Sequence, residues 1–247
     1  MNVQMVTPPE LRECGDCPIR YRAVCSRCEM DELARLSAMK SYKVFQPGDV
    51  LQWAGEGMEY VCSIVTGAAS LSQTMEDGRR QMVGLLLPSD FVGRPGRETS
   101  PFDVTAVAET TVCRFRRRDF EMLIDESPAV SRRLLEMTMD ELQAARQWMM
   151  VLGRKNAREK VASFLAVLAG RRAFLTPEKR KNDIAVDLPL TRDSIADYLG
   201  LTIETISRQF SALKKDGVIE LQGARHVLVP DYDGLLMEAG DEVEQAF

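Results

Sequence analysis

Leu190-Thr-Arg-Asp-Ser-Ile-Ala-Asp-Tyr-Leu-Gly-Leu-Thr-Ile-Glu-Thr-Ile-Ser-Arg208 reads as two short helices, Arg192–Leu199 and Ile203–Lys215, joined by a tight turn. Ala196 is small where two helices must approach closely, and Gly200 admits the left-handed conformation that such a turn requires. Thr202 stands where a hydroxyl can accept a backbone N–H and start the second helix. Ile195, Leu199, Leu201, Ile206 and Leu213 recur at core spacing. Glu204, Ser207 and Arg208 fall at i, i+3 and i+4 and so share the outer face.

The flanks complete the unit. Upstream, Asn156–Ala169 carries a helical apolar face of Val161, Phe164, Leu165 and Leu168, followed by a polar loop from Arg171 to Asp187. Downstream, Val218–Leu221 and Val227–Val229 read as a strand pair turned at Gln222-Gly223-Ala224. Helix, helix–turn–helix and hairpin in this order make a winged helix over residues 154–230. The acidic tail, 231–247, is expected to fray. On a plain surface helix, Glu204 and Arg208 would be an ordinary i,i+4 pair. Within a helix–turn–helix they become base readers: arginine forks onto guanine, a carboxylate accepts from cytosine, and a serine touches thymine or phosphate. Thr202 and Thr205 lie at the start of that helix, while Lys214, Lys215 and Arg225 are placed to meet phosphates of double-stranded DNA.

Outward toward the N-terminus lies one long helical stretch, 128–153. Leu135, Thr138, Leu142, Ala145, Met149 and Leu152 follow alternating steps of three and four, a seam without a charge. Such a seam either packs on its own domain or pairs with a second copy. Its narrowness and the flanking Glu141, Arg146 and Gln147 favour a homodimer. Gly153 is expected to loosen the helix there. Residues 30–127 open with an amphipathic helix, Met30–Met39, and then turn strand-like. Turn signals at Pro47-Gly48-Asp49, Gly55-Glu56-Gly57, Thr66-Gly67, Asp77-Gly78 and Pro88-Ser89-Asp90 suit an antiparallel roll. Thr74–Arg79 reads as a hairpin tip. The fold class expected is therefore α+β: an N-terminal antiparallel β-roll, a long dimerisation helix and a C-terminal winged helix–turn–helix.

The net charge of −5 argues at first against nucleic acid. Its distribution does not: Val151–Pro230 holds 14 Lys/Arg against 9 Asp/Glu, while the remainder holds 18 against 28. No apolar run approaches a bilayer span, so no membrane role is expected. The opening MNVQMVTPPE has neither a basic start nor an apolar stretch, from which a reducing, cytoplasmic setting is expected. An enzyme is not expected. The single histidine, His226, lies in the wing, and no Ser/His/Asp group, phosphate loop or supported carboxylate pair is present.

The arm, residues 1–29, carries four of the six cysteines as Cys14-Gly-Asp-Cys17, seven residues, then Cys25-Ser-Arg-Cys28. Thiolates so spaced can converge on one metal or iron–sulfur centre. The four together could also close a structural zinc site, although seven intervening residues is short for one. Cys62 reads as a plain buried residue.

Tyr198-Leu-Gly-Leu-Thr followed by Glu204-Thr-Ile-Ser-Arg208 resembles the recognition motif of the cAMP-receptor/FNR superfamily of bacterial regulators, in its FNR-type version with Ser before Arg. The likeness spans nearly the whole chain. It implies a homodimer on an inverted repeat like TTGAT–N4–ATCAA, and the spacing of Cys14, Cys17 and Cys25 is similar to the oxygen-sensing branch that holds a [4Fe–4S] cluster. The resemblance implies a fourth ligand at Cys113, in Thr111-Val-Cys-Arg-Phe115, with Cys28 left as an alternative ligand. It also implies contact with RNA polymerase, for which Glu76-Asp77-Gly78-Arg79 is placed like the family's activating loop. Gly93 is followed by Arg94 where cyclic-nucleotide binders have Glu, and Pro101-Phe102-Asp103 supplies no phosphate-binding Arg, so no cyclic nucleotide is expected.

Overall fold

The computed structural model describes residues 14–175 and 182–240. The start of the arm (1–13), part of the polar loop (176–181) and the end of the tail (241–247) lie outside the described residues. The chain forms two compact units that meet between Thr138 and Met139, inside the long helix, so the stretch 128–153 is shared between them.

In the first unit the arm makes one turn of tight helix, Val24–Arg27, before α1, Met30–Met39. Eight strands follow: β1 Ser41–Phe45, β2 Val50–Gln52, β3 Tyr60–Thr66, β4 Ala69–Thr74, β5 Arg80–Leu86, β6 Phe91–Val92, β7 Asp103–Ala106 and β8 Thr110–Arg116. They form two antiparallel four-stranded sheets, β1-β8-β3-β6 and β2-β7-β4-β5. The β4–β5 hairpin turns through 75–79, as the Asp77-Gly78 signal predicts. Gly67 shows why a turn signal can be obligatory: its φ is +81°, and a Cβ there would sit 2.1 Å from the Glu109 carbonyl oxygen.

Side chains alternate across a strand, so neighbours on β3 and β8 serve different cores. Phe45, Cys62, Ile64, Val104, Ala106 and Val112 fill the space between the sheets. Val61, Cys113 and Phe115 face outward, where Ile19, Val24 and Cys28 of the arm, Leu36 of α1, Phe120 and Leu123 of α2 (Arg117–Glu126) and Val130 cover them. Phe91, Phe115 and Phe120 stack there at centroid separations of 5.4 and 5.5 Å. Cys62 thus belongs to the inter-sheet core, as expected of a plain buried residue.

Helix α3 runs Pro128–Arg154. Ser127 starts it, its hydroxyl accepting from the Val130 N–H at 3.1 Å, with proline at the first helical position where no N–H is needed. Gly153 does not loosen it. A glycine costs a helix only about 1 kcal/mol, and the break comes instead at Asn156, whose side chain accepts from the N–H groups of Arg158 and Glu159 at 2.9 and 3.1 Å.

In the second unit α4, Ala157–Leu175, is the central element. Its Val161, Phe164, Leu165 and Leu168 are buried, as expected, and so are Ala162, Ser163 and Ala166, because it is enclosed on several sides. Helices α5, Arg192–Leu199, and α6, Ile203–Lys215, have the boundaries read from sequence. Two expectations need correction. The polar loop ends in a strand, β9 Asn182–Asp187, which makes the wing sheet three-stranded in the order β10-β11-β9, with β10 Glu220–Gln222 and β11 His226–Asp231. Ile184 and Val186 point into the core and are paired with Val229 and Val227. The tail does not fray from Asp231. It forms α7, Tyr232–Ala239, capped by Asp231 accepting from the Asp233 N–H, with Leu235 and Ala239 fully buried. Helix α7 packs on α4, where the Tyr232 hydroxyl donates to the Ala166 carbonyl at 3.4 Å. Burial of Leu235 outweighs the acidic composition that suggested fraying.

Candidate cysteine centre and nucleic-acid interface

The cysteine site is assembled by strand register. Cys113 lies on the outward face of β8, directly opposite Tyr42 of β1 and Ser63 of β3, and is 8% exposed. The arm folds over this face. The Cys17 carbonyl accepts from the Arg20 N–H at 2.9 Å and the Cys25 carbonyl from the Cys28 N–H at 3.1 Å, so both cysteine pairs sit in tight turns. The Arg20 guanidinium donates to the Cys25 and Cys28 carbonyls and clamps the second pair. Cys17, Cys25 and Cys28 pack in the same cluster as Cys113.

The thiols are electrostatically coupled. Burial pushes the Cys113 thiol up, and the nearby Cys17, Cys14 and Cys25 add like-charge repulsion. Burial, followed by further influences that include Cys17 and Cys14, pushes Cys25 up to about 11. Cys28 is pushed up to about 12 by burial, with Cys25 and Glu32 adding to the rise and Arg20 opposing it. These thiols favour the neutral form as they stand and repel one another once ionised, so a bound cation is what would hold them together as thiolates. The set fits a thiolate-ligated cluster. Among the described residues no three Cys, His, Asp or Glu side chains are close enough to hold a single metal ion, whereas a four-iron cube spaces its thiolates more widely than one tetrahedral ion does.

Two side chains that sequence reading missed border the site. The Lys40 ammonium donates to Cys14 Sγ at 3.3 Å, and the Tyr42 hydroxyl is buried beside Cys113. Only the β1–β8 register reveals Tyr42. The arm is also fastened to the first part of α3: Arg133 donates to the Arg22 carbonyl at 2.5 Å, and Glu136 bridges Arg133 and Arg27 at 3.3 and 3.2 Å.

In the second unit Gly200 takes φ +62°, and Thr202 accepts from the Thr205 N–H at 3.3 Å to cap α6. Ile206, Phe210 and Leu213 are buried, which turns Glu204, Ser207 and Arg208 to solvent. Among the described residues Glu204 and Arg208 do not pair with each other. The Glu204 carboxylate is held below the usual range by its own backbone N–H and the Thr202 hydroxyl, which leaves the arginine fork available. Thr205 is half-buried, Lys214 and Lys215 are exposed in the last turn of α6, and Arg225 is exposed in the wing. His226 pairs with Asp187 across the wing at 2.5 Å. Arg192 lies over the Phe210 ring, 3.2 Å from its centroid, and burial lowers it to about 10. Trp148 of α3 stacks on Tyr198 of α5 at 4.7 Å.

Along α3 the seam residues Leu135, Leu142 and Met149 are 62, 41 and 72% exposed, an apolar row too large to be incidental. Thr138 and Ala145 are exposed between them, as is Leu152. Among the described residues no helix is long and apolar enough to cross a membrane.

Comparison with known proteins places these features together. A cyclic nucleotide-binding domain model matches residues 42–127, and a Crp-like helix–turn–helix domain model matches 159–237, reaching into α7. The chain is 39% identical over 208 residues to the nitrogen fixation regulation protein FixK of Bradyrhizobium diazoefficiens, covering 84% of this chain and 86% of that one. The structure of FixK2 from Bradyrhizobium japonicum superposes with a TM-score of 0.69 at 32% identity, over 79% of this chain and 95% of that one. The transcriptional activator protein FnrL of Cereibacter sphaeroides is 60% identical over 235 residues, 95% of each chain. These are regulators and not enzymes. With the motif of α6 and likeness along nearly its full length, the chain belongs to the FNR-type branch of the cAMP-receptor/FNR superfamily of DNA-binding transcription regulators.

Proposed function

We propose that this chain is an oxygen-responsive transcription regulator whose arm holds a [4Fe–4S] cluster through Cys14, Cys17, Cys25 and Cys113. The observation that carries the reading is the packing of the partly buried Cys17 and Cys25 in one cluster with the buried Cys113, electrostatically coupled to Cys14 and fastened to the helix that bears the seam. When bound, the cluster supplies an oxygen-labile link between arm and roll. The protein's residues do the rest. Arg20 orders the Cys25–Cys28 turn, and Arg133 and Glu136 tie the arm to α3 one residue from Leu135. An ordered arm steadies that part of α3 for pairing with a second copy through Leu135, Thr138, Leu142, Ala145, Met149 and Leu152. Loss of the link loosens the arm, which biases a two-state element. At the other end of α3, Trp148 on Tyr198 connects the helix to α5.

The dimer then presents two copies of α6 to an inverted repeat like TTGAT–N4–ATCAA, its two-fold axis matching that of the site. Arg208, Glu204 and Ser207 read bases, while Thr202, Thr205, Lys214, Lys215 and Arg225 fix the register on phosphates. RNA polymerase is met at the exposed 76–79 tip, where Arg79 pairs with Asp77 at 2.8 Å. Activity in the cytoplasm, without membrane or cyclic nucleotide, fits this reading.

A second reading is favoured by the burial of Cys28 among the arm thiols: a structural zinc or redox-thiol site on the same fold. Purification without oxygen, iron and sulfide analysis and a visible spectrum recorded as air is admitted separate the two. About four irons and four sulfides per chain, with absorbance that collapses in air, supports the oxygen sensor. Colourless protein with one zinc overturns it and leaves the DNA-binding half intact.

A further inference from the structure

Tyr42 and Lys40 flank the cysteine site in a way that packing alone does not explain. Tyr42 is 4% exposed, and its hydroxyl is buried without an oxygen or nitrogen partner. It lies directly across the β1–β8 ladder from Cys113, on the same face, so the polar group beside it is that thiol. Lys40, two residues earlier, brings its ammonium to 3.3 Å from Cys14 Sγ and 5.5 Å from the centre of the Tyr42 ring. A buried hydroxyl left without an acceptor is destabilising, because its desolvation is not offset by a hydrogen bond. Phenylalanine would fill the same core among Leu36, Val61 and Phe115 without that cost. The phenol oxygen therefore has the Cys113 sulfur across the ladder as its nearest polar neighbour and no oxygen or nitrogen acceptor in the core.

We propose that Tyr42 and Lys40 are positioning residues of the cluster site, donating O–H and N–H hydrogen bonds to the sulfurs of Cys113 and Cys14 and so setting how easily a bound cluster is oxidised. The proposal rests on the cluster reading above. A cluster with four thiolates carries net negative charge, and hydrogen bonds to its sulfurs favour the more reduced, more negative state. Outer donors of this kind commonly change the properties of a metal site about tenfold or more. Arg20, the other cation of the site, is engaged with the Cys25 and Cys28 carbonyls, and Glu32 accepts from the Glu29 N–H and the Ser127 hydroxyl. Lys40 is thus the cation on the Cys14 side.

The test uses the full chain reconstituted without oxygen from ferrous iron and sulfide, as wild type, Tyr42→Phe, Lys40→Met and Lys40→Arg. Iron and sulfide content, midpoint potential and the rate of absorbance loss in air-saturated buffer are measured, with thermal stability of each apoprotein. Tyr42→Phe and Lys40→Met should load fully, show lower potentials and bleach about tenfold faster in air. Tenfold in a one-electron equilibrium corresponds to about 59 mV. Lys40→Arg should restore most of the wild-type behaviour, and the Tyr42→Phe apoprotein should be no less stable than wild type. Fully loaded variants with wild-type potential and bleaching rate overturn this proposal alone. Wild-type protein that takes up no iron overturns the cluster reading with it.

Discussion

Between Thr191 and Gly217 the caps and turn that set the ends of the reading helix are local: Thr191 caps on Ser194, Gly200 turns the chain, and Thr202 caps on Thr205. The cysteine site is made differently. Cys113 meets an arm that lies some hundred residues earlier, and the hydrogen bond from Arg133 to Arg22 spans 111 residues. Local caps fix where the reading helix begins and ends, while its buried Ile206, Phe210 and Leu213 hold it within its own domain. A site assembled across such distances depends on sheet register, burial and a compensating charge, and can be undone by removing one of them. That difference suits one to reading a fixed DNA sequence and the other to responding to a condition.

The sharpest way to break the comparison is Cys113→Ser. It should abolish iron and sulfide retention, whereas Cys62→Ser, one face of the sheet away, should leave both unchanged. Retention by Cys113→Ser would mean that the arm is self-sufficient, with Cys28 as the fourth ligand, and therefore as local as the reading helix. The next test concerns whether the DNA-binding unit is local throughout. Leu235→Ala, in the tail helix against α4, should cost about 2–5 kcal/mol, read as a lower midpoint in denaturant titration. A change near zero would return the tail to the status of a frayed end.

A smaller effect is expected of Arg208→Ala. Loss of a bidentate base contact should weaken the specific site by about 1–3 kcal/mol and relax the preference at one base pair of each half-site. Fluorescence anisotropy with matched and mismatched duplexes would measure it, and equal weakening on every sequence would demote Arg208 to a phosphate contact. The smallest is Thr202→Ala, where loss of the cap should cost about 1 kcal/mol, seen in thermal melts without any change in iron content. A change in iron content would show that the two regions are not independent.

Much of this was legible in the sequence for one physical reason: short-range rules act between residues a few positions apart. The boundaries of α1, α5 and α6, the caps at Thr202 and Gly200 and the hairpin at Asp77-Gly78 follow from such rules. The failures were cases where distant packing overrode a local signal. Strand β9 looked like loop because its Asn182, Asp183 and Asp187 are polar, although Ile184 and Val186 alternate in strand fashion. The tail looked disordered by charge, although Leu235 and Ala239 are spaced to meet a neighbouring helix.

The sequence by itself determined the helix–turn–helix and the roll, since each is written in spacing and residue type. Only the tertiary structure decided which cysteine of the roll faces the arm. A strand turns successive side chains to opposite faces, and the arm covers the face that carries Cys113, which the likeness to the superfamily had singled out, and not the inter-sheet face that carries Cys62. It also decided that Tyr42 and Lys40 stand at that site, because no spacing rule links a phenol on β1 to a thiol on β8 until register brings them opposite each other.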